Sequence, residues 1–119
     1  MNHVLLLGRL SSAPQERALA SGSVLWSLEL TTDTPDGAWS VPVAWFDPPS
    51  PVAFTTGDEV MVVGSVRRRF FRGAGGTQSR TEVVAAEVVA ATAKRKMQRV
   101  LRREAERLGA ALGGELRSV

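Results

Sequence analysis

The sequence predicts an all-β domain, a small five-stranded barrel or sandwich, followed by a C-terminal amphipathic helix. Three observations carry this. Five apolar runs separated by turn residues fill the first 92 residues. The fourth and fifth of them flank a glycine cluster, as the arms of a long hairpin do. After Thr92 the apolar spacing changes from two to three and four.

The first run, HVLLLGRL (3–10), is short and apolar with one glycine, and reads as a buried strand. SSAPQE (11–16) reads as a loop. From Ser23 to Thr32 the chain alternates. Val24, Trp26, Leu28 and Leu30 share one face, and Ser23, Ser27, Glu29 and Thr31 share the other, with Leu25 the exception. Successive strand side chains point to opposite faces, so this is a half-buried strand. DTPDG (33–37) is a turn cluster. AWSVPVAWF (38–46) is a third strand, and Pro42 inside it requires an edge or a bulge, since proline cannot donate a ladder hydrogen bond. Three prolines within residues 48–51 make the next segment a rigid loop. EVMVVGSVRRRFFR (59–72) is a long fourth strand in which Gly64 marks a bend. GAGG (73–76) is a hairpin tip and SRTEVVAAEVVA (79–90) the fifth strand. Of the five-stranded architectures, the OB-fold barrel fits this pattern, and such barrels commonly bind oligonucleotides.

Residues 1–92 form this domain and residues 93–119 a separate helical tail. Met97, Val100, Leu101, Ala105, Leu108 and Leu112 recur at helical spacing opposite a basic face, and Gly113 and Gly114 read as stop signals. The formal net charge of +3 is uneven. Residues 1–92 carry 7 Lys/Arg and 9 Asp/Glu, a charge of −2, whereas residues 93–119 carry 8 and 3, a charge of +5. Four of the seven cations in the first region lie in RRRFFR (67–72), and it is local concentration that attracts phosphate.

Several function classes are excluded. With no cysteine there is no disulfide and no cysteine-bound zinc. No apolar run approaches a membrane span and no signal-peptide layout is present, so the expectation is a cytoplasmic protein without membrane contact. His3 is the single histidine, on a strand beside the N-terminus, and no nucleophile elbow, Walker loop or metal-spaced carboxylate set accompanies it. GAGG lies between strands rather than ahead of a helix, which makes it a turn and not a phosphate loop. The chain therefore reads as no enzyme, with no metal and no cofactor.

The aromatics leave two readings. In the third strand Trp39, Val41, Val43 and Trp45 lie on one face and Ser40, Pro42, Ala44 and Phe46 on the other. Periodicity alone favours burying the tryptophan face; a binding role exposes it as a stacking platform. In the fourth strand Ser65, Arg67, Arg69 and Phe71 share one parity, and Val66, Arg68 and Phe70 the other. Past Val66 neither face is purely apolar, so the hairpin projects beyond the barrel. Aromatic rings interleaved with guanidinium groups suit a single-stranded nucleic acid, but a solvated hairpin with one anchoring phenylalanine remains open.

Over residues 1–92 the chain resembles the bacterial single-stranded DNA-binding protein (SSB) family. The motifs are MNHVLLLGRLSSAPQER with its Gly-x-Leu and Arg17, SGSVLWSLELTT, the tryptophan and the second aromatic six residues on in AWSVPVAWF, GDEVMVVGSVRRRFF, and RTEVVAAEV. The resemblance implies an OB-fold with a long hairpin between its fourth and fifth strands. It also implies sequence-independent binding of single-stranded DNA in replication, repair and recombination. Trp39, Trp45 and Phe71 fall on the family's stacking aromatics, which implies an exposed platform against the burial that pattern alone favours. Arg67, Arg69, Arg72, Arg80 and Arg9 would hold phosphates. A homo-oligomer, a tetramer built as a dimer of dimers, is implied, with the first strand pairing through His3, Val4, Leu5, Leu6 and Leu7.

Three departures accompany it. No aromatic follows the second strand where the family has a tryptophan, and DPPSPVAFTTG replaces the family's helix. The basic helix ending ELRSV stands where the family has an acidic tip that recruits replication proteins, which argues against recruitment and for an accessory paralogue. The helix could pack its Met97, Val100, Leu101 and Leu108 face on the barrel or on a partner subunit, add phosphate contacts through Arg95, Arg99, Arg102 and Arg103, or fray alone. An OB-type module that docks protein through this helix, and a single-stranded RNA binder, are the alternative functions.

Overall fold

The computed structural model describes the backbone of residues 1–117 and the side chains of residues 1–113; of the closing ELRSV, Ser118 and Val119 lie outside the described residues. The elements run β1 (Val4–Leu10), β2 (Gln15–Ala18), β3 (Val24–Thr34), β4 (Gly37–Phe46), β5 (Glu59–Gly73), β6 (Gly76–Ala90) and α1 (Lys94–Arg117). No described helix is long and apolar enough to cross a membrane.

Five strands close into a barrel. β1 pairs with β5, β5 with β6, β6 with β4, β4 with β3, and β3 returns to β1. All these pairs are antiparallel except β4–β6, which is parallel at Val43–Val83 and Ala44–Val84. β2 is a sixth strand laid along β3 outside the ring. The architecture, a closed five-stranded barrel with one added strand and a C-terminal helix, is consistent with an OB-like fold. β2 corrects the loop expected over 11–16. All four of its residues are exposed, so they show no alternation by which a strand could be read.

Closure demands close backbone approach at two glycines. A Cβ on Gly8 would sit 2.4 Å from the Thr31 carbonyl oxygen, where β1 meets β3. A Cβ on Gly64 would sit 2.1 Å from the Val84 carbonyl oxygen. Gly64 also borders a register shift: Val63 pairs with Glu87 and Gly64 with Ala85, leaving Ala86 as the extra residue of a bulge. The bulge turns the paired strands as they leave the barrel, which is the usual effect of one added residue.

Pro42 needs no bulge. It stands opposite Glu29, whose carbonyl accepts from Ser11 N on the side away from β4. Pro42 is therefore at a non-hydrogen-bonded site of the β3–β4 ladder, and its missing donor faces the β6 side, where pairing begins only at Val43.

The core is the inward side of the barrel: Leu10, Leu28, Leu30, Val43, Trp45, Val60, Val62, Val83, Ala85 and Val88. The segment 47–58 contains no helix, and its Val52 and Phe54 pack on this cluster. Asp47 begins it in the left-handed region at φ 47°, and its carboxylate accepts from Val24 N at 2.8 Å. Such a local hydrogen bond is the usual reason an aspartate tolerates that conformation.

A smaller cluster forms outside the barrel, where Met61, Val63 and Val89 meet Val100 and Met97 of α1. Burying one valine fully and one methionine in part contributes on the order of 3 kcal/mol. The helix gets no help from its own first turn, which has no acidic residue and opens on Lys94, Arg95 and Lys96, charges that oppose the helix dipole. Tertiary contact sustains it. α1 continues through Gly113 and Gly114 to Arg117, so the glycines do not stop it. Of the helix face expected to pack, Met97 and Val100 turn inward, Leu108 is half-buried and Leu101 stays exposed.

Glu104 is the polar part of the same contact, 2% exposed. Its Oε1 accepts from Arg103 at 3.0 Å and from Arg107 at 3.4 Å. Arg103 also donates to Glu87 of β6. Hydrogen bonds to Glu87 and then Glu104 raise the Arg103 guanidinium above its ordinary pKa, so it stays charged. Glu104 Oε2 lies 3.8 Å from His3 Nε2.

Candidate nucleic-acid interface

The β5–β6 hairpin extends from Glu59 to Ala90, with Gly73 opposite Gly76 at the tip and Gly76 at φ 106°. Its register sets which side chains meet. Arg67 stands opposite Glu82, Arg69 opposite Arg80, and Phe71 opposite Gln78. Ser65, on the Arg67 parity, pairs with Val84, which in turn pairs with Ala44; Phe46 lies two residues on. Strand parity therefore gathers Phe46, Arg67, Arg69, Phe71, Arg80 and Glu82 on one outward face.

Glu82 organises this face. It is 4% exposed, while the three arginines around it are close to half exposed. Arg67 donates to Oε2 through Nη2 at 2.9 Å and Nε at 3.2 Å. Arg69 Nε donates to Oε1 at 3.3 Å, and Arg80 Nε lies 3.4 Å from the same oxygen. Arg69 and Arg80 face each other directly, a repulsive pairing of like charges that the shared carboxylate offsets. Arg80 also lies 3.8 Å from Glu29. Three guanidiniums against Glu82 and the more distant Glu29 leave one positive charge uncompensated (+3 − 2 = +1).

The rings interleave with these charges. Arg67 lies over Phe46 at 5.4 Å and Arg69 over Phe71 at 5.5 Å, within cation–π range. Phe71 is 39% exposed. Phe70 and Arg68 form their own pair on the opposite face at 5.1 Å, where Phe70 is 65% exposed.

Trp39 and Trp45 share a strand and a parity but not an environment. Trp39 is 57% exposed, opposite Thr32 near the end of the β3–β4 hairpin. Trp45 is 7% exposed and belongs to the core cluster. The expectation of an exposed platform at both is corrected at Trp45. It sits within the barrel wall opposite Trp26, and the core on which Val52 and Phe54 pack encloses it. A base cannot stack on a ring so enclosed.

The remaining residues spread further. Arg72 is exposed near the hairpin tip, opposite Thr77. Arg9 is on β1, bonded to the Asp33 carboxylate at 3.3 and 3.4 Å, outside the Glu82 cluster. Along β1, Val4 and Leu6 pack against the core, Leu5 and Leu7 are exposed, and His3 is half-buried beside Glu104. β1 pairs with β5 from Val4 to Arg9 but with β3 only at Arg9 and Leu10, so among the described residues one edge of Val4–Gly8 carries no strand.

Sequence reasoning missed two members of the site. Phe46 was legible by parity, as the aromatic sharing a face with Ala44. Glu82 was not, because its place among three arginines depends on the hairpin register. Among the described residues no group of three metal-ligating side chains converges. No family model matches the chain, and no curated protein matches it.

Proposed function

We propose that this protein binds single-stranded DNA without sequence preference, by stacking bases on exposed rings while arginines hold the phosphates. The observation that carries this reading is the outward face on which Phe46, Arg67, Arg69, Phe71 and Arg80 surround the buried Glu82. Every base has a π-face, so aromatic stacking tolerates any sequence, and cationic side chains beside the rings follow the backbone. Phe71 and Trp39 are the exposed rings of the expected set, the half-buried Phe46 lies under Arg67 on the same face as Phe71, and Arg72 extends the cationic run toward the tip. The barrel with a projecting hairpin supports the OB-fold reading, in which such a surface lies across the strands.

In this reading the chain is a non-enzymatic OB-fold protein of the SSB type, covering single strands during replication, repair and recombination in the cytoplasm. It assembles as a homo-oligomer through the open edge of β1, where a second copy can add a strand and cover Leu5 and Leu7. The test is the anisotropy of a labelled oligo-dT titrated with the protein at two salt concentrations, with the particle mass measured alongside. The expected result is tight binding that weakens steeply with salt. No binding at low salt overturns the proposal, and a monomeric mass overturns its assembly.

A further inference from the structure

The strongest unassigned feature of the hairpin is its acid. A surface built only to attract phosphate has no use for a carboxylate, and Glu82 is at the centre of this one. Nor does neutralisation explain it, since three guanidiniums against Glu82 and the more distant Glu29 still leave the cluster cationic. What the carboxylate supplies is geometry. It engages Arg67 through Nε and Nη2, and Arg69 and Arg80 through Nε. Among the described residues no hydrogen bond uses the terminal nitrogens of Arg69 or Arg80, and of these only Arg80 Nη2 has an ion-pair partner, Glu29 at 3.8 Å, so the Arg69 donors and the other Arg80 nitrogen remain for a ligand. The carboxylate is itself 4% exposed, which keeps it behind the guanidiniums rather than between them and an incoming anion. Arginine is a long side chain with high rotamer entropy, and a planar fork fixed in advance loses less freedom when it binds an anion.

We propose that Glu82 is a positioning residue for phosphate binding: its buried carboxylate fixes Arg67, Arg69 and Arg80 as one preorganised anion clamp. This rests on the single-stranded DNA reading above. It also makes a prediction opposite in sign to simple electrostatics. Replacing Glu82 by glutamine adds one unit of positive charge to the site. If the arginines act only as charges, oligo-dT binding tightens and the slope of log K against log salt steepens. If Glu82 positions them, binding weakens despite the added charge.

The experiment compares wild type with Glu82→Gln and Arg67→Lys on labelled oligo-dT at 50 and 200 mM salt, roughly the range over which phosphate contacts are read out. Arg67→Lys keeps the charge but gives up the two-point contact with the carboxylate. A thermal melt confirms that each variant is folded. The expected result is about a five- to tenfold loss for Glu82→Gln and a loss of the same sign for Arg67→Lys. Wild-type binding with Glu82→Gln equal or tighter overturns the positioning role and leaves DNA binding standing. If Glu82→Gln does not fold, unchanged affinity in Arg67→Lys overturns the role. Absence of wild-type binding overturns both inferences together.

Discussion

Among the described residues two glutamates are buried among arginines, and they serve different ends. Glu82 is in the β5–β6 hairpin and Glu104 on α1. Both carboxylate oxygens of Glu82 are engaged, by guanidiniums of two strands. Glu104 uses one oxygen for Arg103 and Arg107 of its own helix, and the other lies 3.8 Å from His3. The charges also differ. Arg103 and Arg107 against Glu87 and Glu104 sum to zero, whereas the Glu82 cluster keeps a positive remainder. A compensated network joins one element to another; an uncompensated one leaves donors for an external anion. The same residue types thus fasten the helix at one place and present a binding surface at the other.

The contrast is broken most severely by removing the cations around Glu82. Changing Arg67, Arg69 and Arg80 together to glutamine is expected to lower oligo-dT affinity about a hundredfold. It should also flatten the salt slope by about 2, since each neutralised phosphate of a single strand adds roughly 0.7 to that slope. Fluorescence anisotropy over a salt series measures both. A variant that binds as tightly, with an unchanged slope, would move the phosphate site elsewhere.

The aromatic component is smaller. Phe71→Ala should weaken binding about tenfold, the loss of one stacked base at ~1–3 kcal/mol, and Phe70→Ala should cost less because Phe70 is on the opposite face. The reverse order would assign the ligand to the other side of the hairpin. The smallest effect lies on the helix. Glu104→Gln is expected to cost about 1 kcal/mol in denaturant unfolding, since its arginines are partly solvated and Arg103 keeps Glu87. It should leave oligo-dT affinity within about twofold. A large loss of affinity would show that the two clusters are coupled.

Much of this was legible from local pattern. Period two marks β3 and β4, the glycine cluster marks the hairpin tip, and the helical spacing after Thr92 marks α1. The parity that separates Phe71 from Phe70 was legible as well, because it depends on neighbours two residues apart. β2 was not, since a strand added outside the barrel with every residue exposed carries no alternation. The helix end was misread because a glycine pair is only a weak stop signal: its cost is modest per residue, and it did not outweigh continuation of the helix to Arg117.

By itself the sequence determined the five barrel strands, the cation-rich hairpin and the amphipathic tail, because these follow from which residues lie two or four positions apart. Only the tertiary structure decided the fate of each ring and each charge. Trp39 and Trp45 are identical in type and parity, yet closure of the barrel encloses one and leaves the other beyond it. Glu82 reads in sequence as one more polar residue of a strand. It becomes the centre of a three-arginine cluster through a register set by pairing across 15 residues of chain, and periodicity holds no record of what lies opposite.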